Sequence, residues 1–542
     1  MKRYMEHIIR SAEARVDHFL TVQVKDKTKM DYGAMKGEIY EAKPTIYAMS
    51  EAAAVYCNAS SRYFHDTTLK NAMNLALDFI AKAQRENGSF DYPSCNFNSA
   101  PDTSFCFKRL IAGYRVILKY EPEEVELLGK YKTILVRSLN ALVEGGFHTP
   151  NHRWGITAAL MQGVNLVDDA DFQEKLTLRA KQFLAEGIDG DEEGEYAERS
   201  TGNYNAVVNN AMMAMYEESK DEYYLGFVER NLKMMMYYYE PDGTIFTQNS
   251  TRQDQGKAAY PNQYFYQYLY MATKLQDPLF GNAAHKIIKD NQERGELAPP
   301  CLYTIMLHKE MEEYEFSGYG FLDSYRKHFK EAGVMRVKND TFGYSLLKGK
   351  SAFAFMKFKD TLIYLKIGES YCDIRNFIPQ KFEVKDKEYK LSSVAKGWYF
   401  LPFKDKQDTT DWWKMDHSKR ELQISSELKV EVTIKELENG LEFKVNSIGL
   451  DMLPLRVEIC IPTGAIIEHD TFYMKAEKGS GMVLRDGYVT MHHNDQTIKI
   501  GPGYGTHEFG GHYSGEEFNE SGYTIYLNDY TPYERTFTIT CE

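Results

Sequence analysis

The spacing of apolar residues changes period near residue 330, and that switch constrains the fold more than any other feature of the chain. Up to about residue 330 the apolar positions repeat as helix faces. From Asp102 onward they fall at Phe107, Leu110, Ile111, Tyr114 and Ile117. Similar stripes recur around 45–60, 66–84, 124–144, 153–167, 171–186, 203–217, 222–238 and 262–275, and the first ten residues also read as an amphipathic helix. Turn formers separate them: Glu86-Asn87-Gly88, Asp189-Gly190-Asp191 and Pro241-Asp242-Gly243. About ten helices with no strand run among them predict stacked antiparallel hairpins, as a superhelix or a closed α/α toroid. No fixed-period repeat of the solenoid kind is present.

After the switch, the segments 353–359, 362–367 and 428–434 alternate or run as β-rich stretches. Turns follow at Glu438-Asn439-Gly440, Arg485-Asp486-Gly487 and 501–505. This pattern predicts a large antiparallel β-sandwich. The boundary is placed within 325–340, giving domains 1–330 and 331–542, in keeping with a length of 542 residues.

Net charge excludes one class of partner. At −13 the chain lacks the basic footprint that nucleic acid requires. A polyanionic glycan meets the same repulsion unless cations are gathered in a cleft. The 40 tyrosines against 4 tryptophans suit sugar-gripping surfaces as well as helix packing. Cys57, Cys95, Cys106, Cys301, Cys372, Cys460 and Cys541 are scattered and odd in number, which reads as free thiols. No apolar run is long enough for a membrane span. The start lacks a signal peptide's apolar core, so the chain as written reads as cytoplasmic, and a periplasmic or secreted protein shorn of its leader would read the same.

Three polar segments stand where helices of the first half begin. In 146–155, Asn151, His152, Arg153 and Trp154 bring amide donors, an imidazole, a cation and a flat ring together, beyond what a helix cap needs. In 189–205, the opening imitates a calcium loop, but Ser200 stands where the bidentate glutamate belongs. Tyr204 follows at the start of a helix. Either it packs in the core with Val207, Val208 and Ala211, or it projects from the helix end into a cleft. The third, 248–257, carries Arg252 and Lys257 ahead of Tyr260, Tyr264 and Tyr266, and alone reads as a solvated loop. A fourth entry, 96–103, is better explained by capping, with Pro101 and Asp102 in the first turn.

In the β half, 412–420 concentrates Trp412, Trp413, His417 and three cations. His492, His493, His507 and His512 invite a zinc reading, but His507-Glu508-Phe509-Gly510-Gly511-His512 lacks the helical two-histidine spacing. A structural metal in the β half therefore has no support.

A helical toroid followed by a β-sandwich resembles the heparinase II/III-like and alginate-lyase-like polysaccharide lyases. Asn151-His152 looks like the Asn-His pair that opens one helix in that group. Glu198, Ser200 and Tyr204 resemble its second motif, with one extra residue before the tyrosine and Asn205 where many members carry histidine. The resemblance implies β-elimination on a uronic-acid-containing glycan, with no cofactor required and an oligomer compatible with it. Asn151, helped by Arg153, would hold the uronate carboxylate, Tyr204 would be the acid, and His152 or His417 the base or neutraliser. Arg199, Arg252 and Lys257 would supply positive charge, and Trp154, Tyr260, Trp412 and Trp413 would contact sugar. Two rivals remain at this level. One is a glycoside hydrolase using two of Asp102, Glu195 and Glu198. The other is a non-catalytic glycan-binding protein.

Overall fold

The computed structural model describes residues 1–508, 512, 516 and 518–542. Phe509, Gly510 and Gly511 of the segment considered for zinc lie outside the described residues. The chain forms two units, Met1–Leu322 and Asp323–Glu542. The break falls slightly before the expected 330, because Tyr325–Phe329 already pairs as a strand with Val334–Lys338.

In the first unit the helices are α1 (Lys2–Val22), α2 (Lys43–Cys57), α3 (Thr67–Ala83), α4 (Ala100–Tyr120), α5 (Val125–Glu144) and α6 (Pro150–Val164). They continue as α7 (Ala170–Leu184), α8 (Tyr204–Ser219), α9 (Glu222–Met235), α10 (Phe265–Leu275), α11 (Pro278–Glu293) and α12 (Leu302–Leu307). Side-chain caps set several starts. Asp66, Asp169, Asp221 and Asp277 each accept from a backbone N–H of the first turn. Ser99 does the same for α4, with Asp102 in its first turn. Each such cap contributes about 1 kcal/mol.

Consecutive helices pair as hairpins, α2 with α3, α4 with α5, α6 with α7, α8 with α9 and α10 with α11. The even-numbered members adjoin one another: α2 packs on α4, α4 on α6 and α6 on α8. Gln267 of α10 donates to the Ala206 carbonyl of α8 at 2.8 Å. The ring closes where α12 packs on α2 and α4, and where His7 of α1 meets Asn291 of α11 at 3.1 Å. This is the α/α toroid. One expectation fails locally: Asn96–Ser99 is a short strand paired with Phe90–Tyr92, a hairpin inserted before α4.

The second unit is a β-sandwich of two sheets, each nine-stranded among the described residues. Pairing is antiparallel apart from Ser480–Val483, which runs parallel to Tyr523–Tyr530. Inward side chains from both sheets, including Leu365, Ile367, Val430, Val432, Phe443, Val457, Ile525 and Phe537, form one buried apolar cluster. In the first sheet the strands Glu388–Phe400 and Leu422–Glu436 pair as a long hairpin whose connection, 401–421, holds Trp412, Trp413 and His417. No helix among the described residues is long and apolar enough to cross a membrane.

Candidate functional site

The inner helices of the first unit enclose a cavity of about 1050 Å³. Its upper wall is built from helix starts: Lys43 and Tyr47 of α2, Asp102 and Phe105 of α4, His152 of α6 and Tyr204 of α8. Gly155, one turn along α6, lets this wall close up. A Cβ there would come within 2.9 Å of the Ser104 hydroxyl and 3.1 Å of the Phe105 ring.

The polar segments singled out above are hydrogen-bonded to one another. Glu198 accepts from both the backbone N–H and the side-chain amide of Asn151, at 3.0 and 2.7 Å, so a carboxylate from the second segment covers the first turn of α6. The third segment joins them: Arg252 Nε stands 3.2 Å from Glu198, and the Thr251 hydroxyl donates to the Glu198 carbonyl at 2.9 Å. Asp254 accepts from Ser200 and Ser250 at 2.9 and 2.6 Å and from the Gly202 N–H at 3.0 Å. Ser200 in turn accepts from the Tyr204 N–H at 2.9 Å, fixing the start of α8.

Two of the expected catalytic residues face the cavity. Tyr204 lines it, with its hydroxyl 3.4 Å from Gln253 Oε1 and the Arg252 guanidinium 5.1 Å from its ring centre. His152 lines it against Phe105 and His148, at ring separations of 5.8 and 4.7 Å. Burial first, then the neighbouring His148, push the His152 imidazole down to about 4; an upward pull from Asp102 comes next in size, ahead of smaller downward pushes from Arg252 and Lys43. The ring is therefore neutral at ordinary pH.

The rest of the 151–154 cluster points elsewhere, which corrects the reading of four adjacent groups as one surface. Successive helix residues turn about 100° apart, so neighbours in sequence cannot share a face. Asn151 is fully buried and committed to Glu198 rather than exposed to ligand. Arg153 donates to the carbonyls of Phe183, at 3.0 Å, and Gly187, at 3.0 Å. Trp154 is 0% exposed, with its indole N–H donating to Asp189, and is a core residue, not a sugar platform. Asp191 closes its own loop by accepting from Glu193 and Glu195 N–H at 2.9 and 2.8 Å, which explains the calcium-like look of that segment.

Among the other expected binding residues, Arg252 lines the cavity while Arg199, Lys257 and Tyr260 do not. Arg199 is half-buried and its charge acts on Glu195. Lys257 is exposed, and Tyr260 carries the Arg294 guanidinium at 3.8 Å. In the second unit Trp412 and Trp413 are exposed, the latter by 90%. His417 packs 4.1 Å from the Trp412 ring, with Nε2 2.9 Å from the Trp412 carbonyl. Among the described residues no cluster of three His, Cys, Asp or Glu side chains could hold a metal.

The positive charge of the cavity comes mostly from residues the sequence did not flag. Arg15, Lys43, Lys108 and Arg109 line it together with Arg252. Asp102 is the one carboxylate in the lining among the described residues. Burial pushes its pKa up, but hydrogen bonds from Lys43 at 2.9 Å, Ser99 at 2.7 Å and Asn96 at 3.0 Å more than reverse this and keep it ionised. Glu195, pushed up to about 7 by burial, is enclosed with Asn205 and Asn249 away from the lining. Glu198 is likewise outside it.

Comparison with known proteins places the fold. The chain covers 99% of its own length on a xanthan lyase from Paenibacillus, with a TM-score of 0.60, 9% identity and 55% of that enzyme matched, so it spans about half the length of that relative. Heparinase III matches with a TM-score of 0.56 at 11% identity, covering 98% of this chain and 85% of the other. A point mutant of the chondroitin AC lyase of Streptomyces coelicolor matches with a TM-score of 0.57 at 8% identity, covering 100% of this chain and 80% of the other. The chain thus shares the two-unit fold of polysaccharide lyases. No family model and no curated protein sequence matches it.

Proposed function

We propose that this chain is a polysaccharide lyase that cleaves a uronic-acid-containing glycan by β-elimination. The supporting observation is the joint presence, on the wall of one cavity, of a neutral imidazole (His152), a phenol (Tyr204) and a group of cations, in a chain of net charge −13. An acidic protein that gathers cations in a cleft is suited to an anionic ligand.

Elimination begins with removal of the proton on the carbon beside the uronate carboxylate. Arg252 neutralises that carboxylate and stabilises the charge that grows on it. Preorganised donors of this kind contribute roughly 3–4 kcal/mol each. His152 takes the proton, a role its neutral form permits, and the incoming carboxylate raises its basicity against the burial that chiefly holds it down. The released electron pair forms the new carbon–carbon double bond as the bond to the glycosidic oxygen breaks. Tyr204 gives its proton to that oxygen. The product carries an unsaturated uronate at its new non-reducing end. Asn151 acts as a positioning residue, holding Glu198, which in turn stands against Arg252.

A hydrolase would need two carboxylates flanking the scissile bond, and the cavity lining offers, among the described residues, Asp102 alone, with its oxygens engaged. The test is incubation with a panel of glycosaminoglycans, alginate, pectin, ulvan and glucuronans. Ultraviolet absorbance of an unsaturated product is expected from at least one. New reducing ends without that absorbance would mean hydrolysis, and binding without cleavage would mean a lectin-like role.

A further inference from the structure

The cations of the cavity differ in one respect. Lys43 is paired with Asp102 at 2.9 Å, Arg15 with Glu51 at 3.1 Å and Arg252 with Glu198 at 3.2 Å, while Arg109 donates to the Tyr303 hydroxyl. Lys108 lines the same cavity and, among the described residues, has neither an ion-pair partner nor a hydrogen bond. It lies on α4 six residues beyond Asp102, hence about 9 Å further along the helix from the cavity mouth. Asn210, six residues beyond Tyr204 on α8, and Ala158 and Ala159 of α6 line the cavity at the matching depth.

We infer that Lys108 anchors an anionic substituent, a carboxylate or sulfate, on the sugar that sits one step deeper than the sugar at Tyr204. The inference rests on the glycan reading above and names the group that would set which glycans are accepted. An enclosed lysine without a counter-ion leaves a charge site that a ligand completes. Burial, with Arg109 beside it, pushes the amine down to about 7, so part of the population is uncharged in the empty protein. An anion would draw a proton onto it. Besides the cations already named, the titratable groups lining the cavity are Tyr47, Tyr92, Cys95, Asp102, His148, His152, Tyr204 and Tyr266. Of these His152 is already neutral near pH 8, and Asp102 is already ionised, so neither takes up a proton there.

The test is calorimetric binding of glucuronate, glucose 6-sulfate and neutral glucose to the full chain near pH 8, in buffers of different ionisation enthalpy. The expected result is binding of one or both acidic sugars with proton uptake, glucose binding at least tenfold more weakly, and a loss of at least tenfold in affinity in Lys108→Met. The two acidic probes distinguish a carboxylate site from a sulfate site. Lys108→Arg should keep the affinity but lose the proton uptake, because the guanidinium is always charged. Unchanged affinity in Lys108→Met, or equal binding of glucose, would overturn the inference. If anion binding depends on Lys108 but no polysaccharide is cleaved, the lyase reading fails and this one stands. If cleavage is found and Lys108→Met leaves KM unchanged on every substrate, the reverse holds.

Discussion

The two units differ in where their unpartnered titratable groups sit: in the sandwich Glu369, whose Oε1 has no hydrogen-bond partner among the described residues, is buried within a strand and pushed up to about 7 by that burial, while in the toroid Lys108 lines a cavity. The sandwich closes an apolar core between its sheets, and its buried Arg456 donates to both oxygens of Glu516 at 2.7 Å. The toroid instead encloses a polar cavity, with Lys108 left without a partner among the described residues and His152 held neutral. Unpaired titratable groups destabilise a fold, so a unit that keeps them in an open cavity is one suited to chemistry. The sandwich presents aromatic surface, Trp398, Tyr399, Trp412 and Trp413, but no comparable titratable enclosure on that hairpin. The division predicts catalysis in the helical unit and sugar contact as the most the exposed hairpin supplies.

The sharpest way to break this division is Tyr204→Phe. Loss of the proton donor should lower kcat by about 10²–10⁴-fold with KM changed little, as read in steady-state cleavage assays. A near-normal rate would remove the phenol from the mechanism. Arg252→Gln comes next, with kcat falling about 10²–10³-fold because its charge is needed chiefly as the carboxylate gains charge. An effect confined to KM would make it a simple binding residue.

A pH effect is expected from His152. Its folded-state pKa of about 4 lies below its ordinary 6.5, so the unfolded chain binds the extra proton first as pH falls. Its contribution to stability is complete above about pH 6.5 and is lost on acidification towards 4. Denaturation midpoints across that window should be flatter in His152→Gln. A steeper fall in the variant would contradict the burial of a neutral ring. The smallest effect belongs to Trp413→Ala, which should raise KM a few-fold, leave kcat intact and change stability by less than about 0.5 kcal/mol. A large loss of kcat there would end the division of labour.

Apolar patterning between turn formers placed α2 through α10 and the β half, although α6 is buried nearly all round and carries no clear stripe. It passed over α11, although that helix buries Phe280, Ala283, Ala284, Ile287 and Ile288 along one face. It also passed over the Phe90–Ser99 hairpin, too short for any alternation to register. In the site, His152 and Tyr204 were readable because they stand at helix starts beside unusual polar runs. Lys43, Lys108 and Arg109 were not. On an inner toroid helix one face packs outward against its partner and the other faces the cavity, so a cavity lysine has the same periodicity as a solvent lysine. Trp154 failed in the opposite sense: two residues beyond His152, and so about 200° round the helix from it, its ring lies in the core.

The most direct measurement is a crystal structure of Tyr204→Phe soaked with an acidic oligosaccharide. A uronate is expected in the toroid cavity, with its carboxylate on Arg252 and its ring beside His152. An oligosaccharide held only on the Trp412–Trp413 surface, with the cavity empty at saturating ligand, would contradict it.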